Sequence, residues 1–509
     1  MWMNAIDQFL ENKKWVLYLA LFFAFGLGLA IRLYDLTDAP LDFHPTRQLH
    51  SAVMSRGMYY QDLEGVPEWK REMAVRQWKA EGLIEPPFME WLTAQTYRLT
   101  GQENLWYARL YSILFWVGGG VALFLLAKEL SGSAAAIVGL LYYLILPYGA
   151  IASRSFQPDP LMTALIVWAL WGMARWHRNP TWKWVIVAGL LSGVAILCKS
   201  VAVFFVGGAW AGLILSRQGL VKSLKDPQVW ALALLTVLPY SIFHVYGVYI
   251  SGLLESQFKL RFFPQLWLDP VFYLRWKGLI ASTVGFEWFL VALLSVFLTR
   301  EKPHRGLMIG LLVGYFAYGL TLSYHISTHD YYHLPLIPLV AIGLASGAQT
   351  LFSNLKGVKW LVYPLVVGTM LFGVVTSAWD VRVQLKRMDY RTETIFWENL
   401  GKEIGEGAAV VGLTHDYGYR LAYWGWITST NWMTSGDFNY RALDGQEFDM
   451  ETLFEEETAG KDYFVVTLLS ELDNQPHLKK LLFENYPVLQ KTDEYLIFDI
   501  RNRLKKNAP

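Results

Sequence analysis

The sequence predicts a polytopic α-helical membrane protein of about eleven spans, carrying a C-terminal extracytoplasmic α/β domain. Three observations predict it. A chain with 54% hydrophobic and 16% aromatic residues and a positive mean hydropathy is too apolar for an ordinary soluble enzyme. Apolar runs long enough to cross a bilayer recur from residue 15 to residue 378. Beyond residue 380 the composition turns abruptly charged, with short strand-like and helix-like stretches in alternation. The 23 Trp and 28 Tyr fit this class, because amphipathic rings collect at membrane interfaces.

The expected spans are 15–33, 106–127, 133–152, 159–175, 183–198, 201–216, 228–250, 279–299, 306–324, 334–352 and 359–378. Threading them alternately places Lys13/Lys14, Lys128, Arg175/Arg178, Arg217/Lys222/Lys225, Arg300/Lys302/Arg305 and Lys356/Lys359 on one face. The positive-inside rule makes that face cytoplasmic, so the N-terminus is inside and the C-terminus outside. No small-residue cleavage site follows the first run, which therefore reads as an uncleaved span. The turn at Lys199 is very short, and fusing its two flanking spans would break the alternation that the later loops respect.

Two stretches outside the spans fall on the outer side. Residues 34–105 form a loop too long for a connector, and TRQLHSAVMSRGMYY and PPFMEWLTAQTYRL carry apolar residues at three- and four-residue spacing. Both are expected to be helices lying along the membrane surface, the second started by Pro86 and Pro87. Residues 379–509 hold the helical patterns RTETIFWENLGKEI and QPHLKKLLFENY and the strand patterns AAVVGLTH, DYFVVTLLS and EYLIFDIR. The expected domains are thus 1–378, a membrane module that includes the 34–105 loop, and 379–509, a soluble domain large enough for its own core.

Several function classes drop out. A net charge of +1 gives no global attraction to nucleic acid. The single Cys198 permits no intramolecular disulfide and, inside an apolar run, reads as an inert buried thiol. There is no phosphate-binding glycine fingerprint; glycines are scattered through the spans as packing positions.

Chemistry concentrates just after the first span, where PLDFHPTRQLHSA sets Asp42, His44, Arg47 and His50 within nine positions, with Glu85 later in the same loop. An arbitrary loop aspartate near headgroups is simply solvated. The wider pattern, however, resembles a family. An N-inside first span, a long outer loop opening on an acid, a Pro-Pro-aromatic helix and the span ARLYSILFWVGGGVALFLLAKEL are similar to membrane glycosyltransferases of the GT-C fold. The branch is the one holding protein O-mannosyltransferases and the aminoarabinose transferases that modify lipid A. SRSFQPDPLMTALIVWALW, ILCKSVAVFF and YYHLPLIPLVAIG match further, so the resemblance covers roughly residues 15–378. Two departures stand out: Asp42 is followed by Phe43 where such families often carry Asp-Glu, and Glu85 precedes the Pro-Pro pair where several relatives have Lys or His.

The resemblance implies transfer of a sugar from a polyprenyl-phosphate donor lipid to an acceptor hydroxyl at the outer membrane face. Such a reaction needs a base for the incoming alcohol, and Asp42 is the expected one. With no second carboxylate to form a glycosyl-enzyme, a single displacement with inversion is expected. The departing phosphate gains negative charge, so cations held there stabilise the transition state. Lys199, Arg261 and Arg154 sit at outer span ends or in outer loops, where a cation also snorkels to headgroups. Tyr331, Tyr332 and His333 are further candidates for the donor phosphate, and His44, Arg47, Glu85 and Asp159 for the acceptor or cavity. Asp159, followed by Pro160, equally suits an N-cap.

His325, His329 and His333 recur every four residues, a metal-compatible spacing if that loop is helical, although no metal or other cofactor is required for a monophosphate leaving group. The aromatic stretch YRLAYWGWITSTNW has the composition of a sugar-stacking surface, but alternating aromatics more often form a core. The acceptor is a glycan, lipid or protein, and the lack of Asn-X-Ser/Thr sequons leans toward a bacterial envelope. The rival classes are a transporter or flippase and a noncatalytic assembly protein. Transporters set ionisable residues near the bilayer midplane, whereas here they cluster at outer ends, with His244 the main exception.

Overall fold

A computed structural model describes residues 5–252, 254, 261–299, 301–354 and 359–504; Arg300 and Lys356, counted above among the cytoplasmic cations, lie outside them. Five described helices are long and apolar enough to cross a membrane: Lys14–Leu33, Trp106–Ser131, Ala202–Ser223, Pro227–Ile250 and Asp330–Asn354. A bent pair, Pro270–Val284 and Phe286–Leu298, makes a sixth if counted as one span. Ser133–Ile145 and Trp182–Cys198 are shorter apolar helices. The protein is a multi-pass membrane protein.

Two of the expected spans are broken, each for a local reason. The 133–152 run divides into Ser133–Ile145 and Pro147–Ala152. Pro147 drives the residue before it out of the helical region, and Leu146 is extended at φ −53°, ψ 123°. The 279–299 run straddles a 91° bend at Gly285, whose φ of 78° is open to glycine and strained for other residues. An apolar window cannot see such a bend, because both arms are greasy.

The chain forms two compact units, residues 1–36, 83–89 and 106–388, and residues 37–82, 90–105 and 389–509. Most of the 34–105 loop, which the sequence assigns to the membrane module, therefore packs with the C-terminal residues. The Pro45–Tyr60 helix is not a surface helix: Gln48, Leu49 and the run Ser51–Gly57 are buried, against the Glu68–Ala80 and Tyr419–Trp424 helices. Phe88–Thr100 starts after Pro86 and Pro87 as expected and leaves Trp91 and Leu99 exposed.

In the first unit the most extensive helix pair is Ala202–Ser223 with Lys302–Thr321. Gly208 and Gly212 face Gly306, Gly310 and Gly314, and a Cβ at Gly208 or Gly212 would land on the carbonyl of Gly310 or Gly306. Small residues at four-residue spacing let the two backbones touch, the usual device where lipid leaves no hydrophobic force between helices. Gly310→Leu is expected to cost about 1–3 kcal/mol or more by overpacking, read as a lower unfolding temperature in detergent, while Gly207→Leu, with open space around it, leaves that temperature unchanged.

The second unit is built on a five-stranded sheet. In chain order the strands are β1 (Val410–Leu413), β2 (Ser429–Asn431), β3 (Tyr463–Val466), β4 (Val488–Lys491) and β5 (Leu496–Asp499), arranged β2-β1-β3-β5-β4. β1 runs parallel to β2 and β3, whereas β5 is antiparallel to β3 and β4. One face packs Val411, Leu413, Phe464, Val466, Leu496 and Phe498 with Trp432 and Phe454, and the other packs Val410, Val465 and Ile497 on Trp397 and Leu400. The three strands legible in the sequence are the buried central ones; β2 and β4 lie at the sheet edges and carry no apolar run. Tyr423, Ile427 and Trp432 of the aromatic stretch are buried, as a core reading of that stretch expects.

Candidate functional site

In the first unit the end of the Lys14–Leu33 helix sets the site's frame. The last carbonyls of any helix lack partners and carry partial negative charge. Three buried arginines bond main-chain carbonyls around and just beyond that end. Arg32 donates to the carbonyls of Gly28 and Leu144, at 2.7 and 2.6 Å, and to Ser153 Oγ at 2.7 Å. Arg154 donates to the carbonyls of Tyr34 and Asp35 at 2.6 and 2.7 Å, and Arg109 to that of Leu36 at 3.2 Å.

Arg154 is thus a clamp on the main chain, where the sequence offered it as a phosphate contact. Arg154→Lys keeps the charge but loses the planar fork, and is expected to lower the unfolding temperature without restoring wild-type stability at any donor concentration. Thermal unfolding with and without polyprenyl phosphate checks this.

The segment 153–159 that follows is buried throughout. Asp159 is the first residue of the Asp159–Arg178 helix, but the cap position is Pro158 and no side-chain cap bond forms. Its carboxylate instead accepts from Lys199 Nζ, at 2.9 Å to each oxygen, with both residues buried. Lys199 occupies the break between Trp182–Cys198 and Ala202–Ser223, with extended backbone at φ −156°, ψ 121°. The short turn in the sequence therefore exists to carry this lysine inward.

Around the pair stand aromatic rings. Lys199 Nζ lies 5.2 and 5.7 Å from the ring centroids of Tyr331 and Tyr332. Tyr332 stacks on Tyr318 at 5.8 Å and on His325 at 5.3 Å. Burial pushes the His325 imidazole down to about 3, and the neighbouring His329, Arg261 and Lys199 add to it. The ring is neutral at pH 7, and two cations more than sixty positions apart in sequence converge on it. Tyr240 lies within electrostatic range of both Arg261 and Glu85, and its hydroxyl bonds Ser200, next to Lys199. Arg261, Glu85, Lys199, Asp159, Tyr331, Tyr332 and His325 thus share one neighbourhood.

His333 does not join them. Its Nδ1 pairs with the Tyr315 hydroxyl at 2.8 Å, its Nε2 with the Ile326 carbonyl at 2.9 Å, and Trp276 Nε1 donates to Tyr315 at 2.8 Å. A carbonyl only accepts, so Nε2 carries the proton and Nδ1 accepts from tyrosine. Neither nitrogen is left for a phosphate or a metal. The three-histidine face also fails, because the Ser323–Thr328 helix ends before His329, whose backbone is extended. Among the described residues the one grouping with metal-ligand geometry is His177, Glu301 and His304.

Tyr148, Tyr240 and Tyr318 are the neighbours that sequence reading missed. Tyr148 lies within range of Asp159, Asp330 and Tyr331. A tyrosine inside an apolar run reads as packing, so only the fold could enlist them.

In the second unit Asp42 sits in the turn that feeds the Pro45–Tyr60 helix. His44 is the cap residue at φ 44°, in the left-handed region, and Pro45 follows at the first helical position. Gln48 Nε2 ties the turn by donating to the Phe43 carbonyl at 2.6 Å. Asp38 accepts the Tyr390 N–H at 3.0 Å, and burial, then the Asp42 charge, pushes the Tyr390 hydroxyl up. Asp42 therefore lies within electrostatic range of Tyr390. Arg47 lies near the Tyr419 ring, Tyr419 donates to Glu81 at 2.7 Å, and His50 Nε2 is 3.3 Å from the same carboxylate. The cluster of four in the sequence is dispersed along a turn and the helix that follows it, into separate surroundings. Trp69, Lys70, Trp424 and Trp426 line a cleft of about 470 Å³ elsewhere in this unit.

Residues 84–245, which include Asp159 and Lys199, match the family model of dolichyl-phosphate-mannose-protein mannosyltransferases. ArnT from Cupriavidus metallidurans, in a structure bound to undecaprenyl phosphate, superposes with a TM-score of 0.59, covering 95% of this chain and 98% of that one at 16% identity. The chain has the GT-C fold. Another protein of the GT-C fold, the oligosaccharyltransferase AglB from Archaeoglobus fulgidus in complex with an inhibitory peptide and a dolichol-phosphate, gives a TM-score of 0.54 at 11% identity, covering 97% of this chain and 75% of that one. No curated protein sequence matches the chain.

Proposed function

We propose that this chain is a membrane glycosyltransferase that moves a sugar from a polyprenyl-phosphate-linked donor to an acceptor hydroxyl at the outer membrane face, with inversion. The observation that carries the reading is the convergence of Lys199 and Arg261 on one aromatic-walled neighbourhood at the ends of apolar helices. Ionisable groups are costly there and persist where function requires them. The GT-C fold and the family match over residues 84–245 support the reading.

In the proposed reaction the bond between the anomeric carbon and the phosphate oxygen breaks, its electron pair leaving with the phosphate. The acceptor oxygen bonds to the same carbon from the opposite face, and its proton passes to the Asp42 carboxylate. The phosphate gains one negative charge as it departs, so Lys199 and Arg261 favour the transition state over the bound donor. Asp159 acts as a positioning residue: it neutralises Lys199 before the donor arrives and aims it afterwards. The prenyl tail stays in the bilayer, so no sugar nucleotide need cross the membrane. About eleven spans, an inside N-terminus and an outside C-terminal domain complete the reading, in a bacterial cell envelope; the acceptor is a glycan, lipid or protein.

Competition binding tests the donor chemistry. Protein in nanodiscs is expected to bind a fluorescent polyprenyl phosphate that unlabelled polyprenyl phosphate displaces at least tenfold better than polyprenol of the same length. Equal displacement by the alcohol would mean that the phosphate is not recognised.

A further inference from the structure

We infer that His177, Glu301 and His304 form a site for a zinc-class divalent metal ion that staples the end of the Asp159–Arg178 helix to the start of the Lys302–Thr321 helix. The three residues each offer one ligand atom within 4.8 Å of the others. The inference is independent of the glycosyl-transfer reading. His177 stands eighteen positions along its helix from Asp159, which is about 27 Å at 1.5 Å per residue.

Three features make this more than a chance grouping. First, His304 is 2% exposed, and its Nδ1 lies 3.1 Å from the Glu301 carboxylate. Those two atoms stand at a separation that two ligands of one ion can share. The buried Nδ1 of His177 has no hydrogen-bond partner. A buried imidazole nitrogen is costly without a ligand to meet it.

Second, the rings stand edge to face, with centroids 5.4 Å apart and planes at 78°. Third, two of the cations around the site are already engaged, since Arg178 and Arg175 face Glu129 at 3.2 and 3.7 Å.

Two histidines and a carboxylate are a zinc donor set that keeps a fourth position open for water. Tetrahedral coordination at about 2.0–2.1 Å sets ligand atoms about 3.4 Å from one another. Glu301, half-exposed, provides the entry.

The test is cobalt titration of tag-free, chelator-treated full-length protein in detergent, followed by visible absorption and equilibrium dialysis. One Co²⁺ per chain, displaced by Zn²⁺, is expected. His177→Gln, Glu301→Gln and His304→Gln should each weaken binding at least tenfold, while His477→Gln, an exposed histidine in the other unit, leaves it unchanged. Unfolding temperature is measured alongside, so that a misfolded variant is recognised, and the wild-type titration stands whatever the variants do. No bound cobalt in the wild type, or unchanged affinity in a folded His177→Gln/His304→Gln double variant, overturns the inference.

Discussion

Asp42→Asn is expected to lower sugar transfer by about 10²- to 10⁴-fold, the usual contribution of a positioned carboxylate base. The amide has the same shape and keeps hydrogen-bonding capacity but does not take the acceptor's proton. The Asp42 turn is tied by Gln48 to the Phe43 carbonyl and by Asp38 to Tyr390, so the fold should survive. The loss should fall on kcat with little change in the KM for donor, because a base acts on the transition state and not on lipid binding. Transfer measured under saturating donor, with thermal unfolding as a control, checks this. Wild-type turnover in a folded Asp42→Asn variant would remove the base assignment.

Lys199→Met is expected to have two effects that a double variant separates. The first is on stability. The lysine shares a buried ion pair with Asp159 at 2.9 Å, and removing one partner of such a pair typically costs about 3–5 kcal/mol because the other charge is stranded. The second is on catalysis, where loss of one group that stabilises developing negative charge typically costs about 10²- to 10³-fold. Asp159→Asn/Lys199→Met strands no charge and should recover most of the lost stability. It should not recover transfer, since the phosphate still lacks its cation. Unfolding temperature and turnover measured on wild type, both single variants and the double variant give the answer. If turnover returns along with stability, Lys199 is a structural residue only.

Much of this was legible before the fold was known. Long apolar runs gave the helices, and short ones gave β1, β3 and β5, because burial on both faces of a central strand writes itself into composition. The Pro86–Pro87 start of Phe88–Thr100 and the short turn at Lys199 were also readable. The bend at Gly285 and the break at Leu146 were not, since a single φ angle has no hydropathy signature.

Pairing was the larger blind spot. Nothing in a one-dimensional pattern sets Asp159 against Lys199, forty positions away, or Arg154 against the carbonyls of Tyr34 and Asp35. The His325, His329 and His333 spacing misled because the helix it presupposed stops at Thr328. Glu301 and His304, three apart at a helix start, were overlooked because their partner His177 comes from another helix. Surface placement of Pro45–Tyr60 failed for a similar reason: its apolar face has a protein partner, which amphipathicity alone cannot distinguish from lipid.

Reconstitution shows whether a glycosyl group leaves its polyprenyl-phosphate carrier on this protein. Purified protein in proteoliposomes is given polyprenyl-phosphate sugar labelled in the sugar, with an envelope extract as acceptor, and the lipid is analysed after incubation. Free polyprenyl phosphate should appear in step with labelled acceptor, and Asp42→Asn should suppress both together. Intact donor recovered on the opposite leaflet, with no polyprenyl phosphate released, would contradict the account and make the protein a lipid transporter.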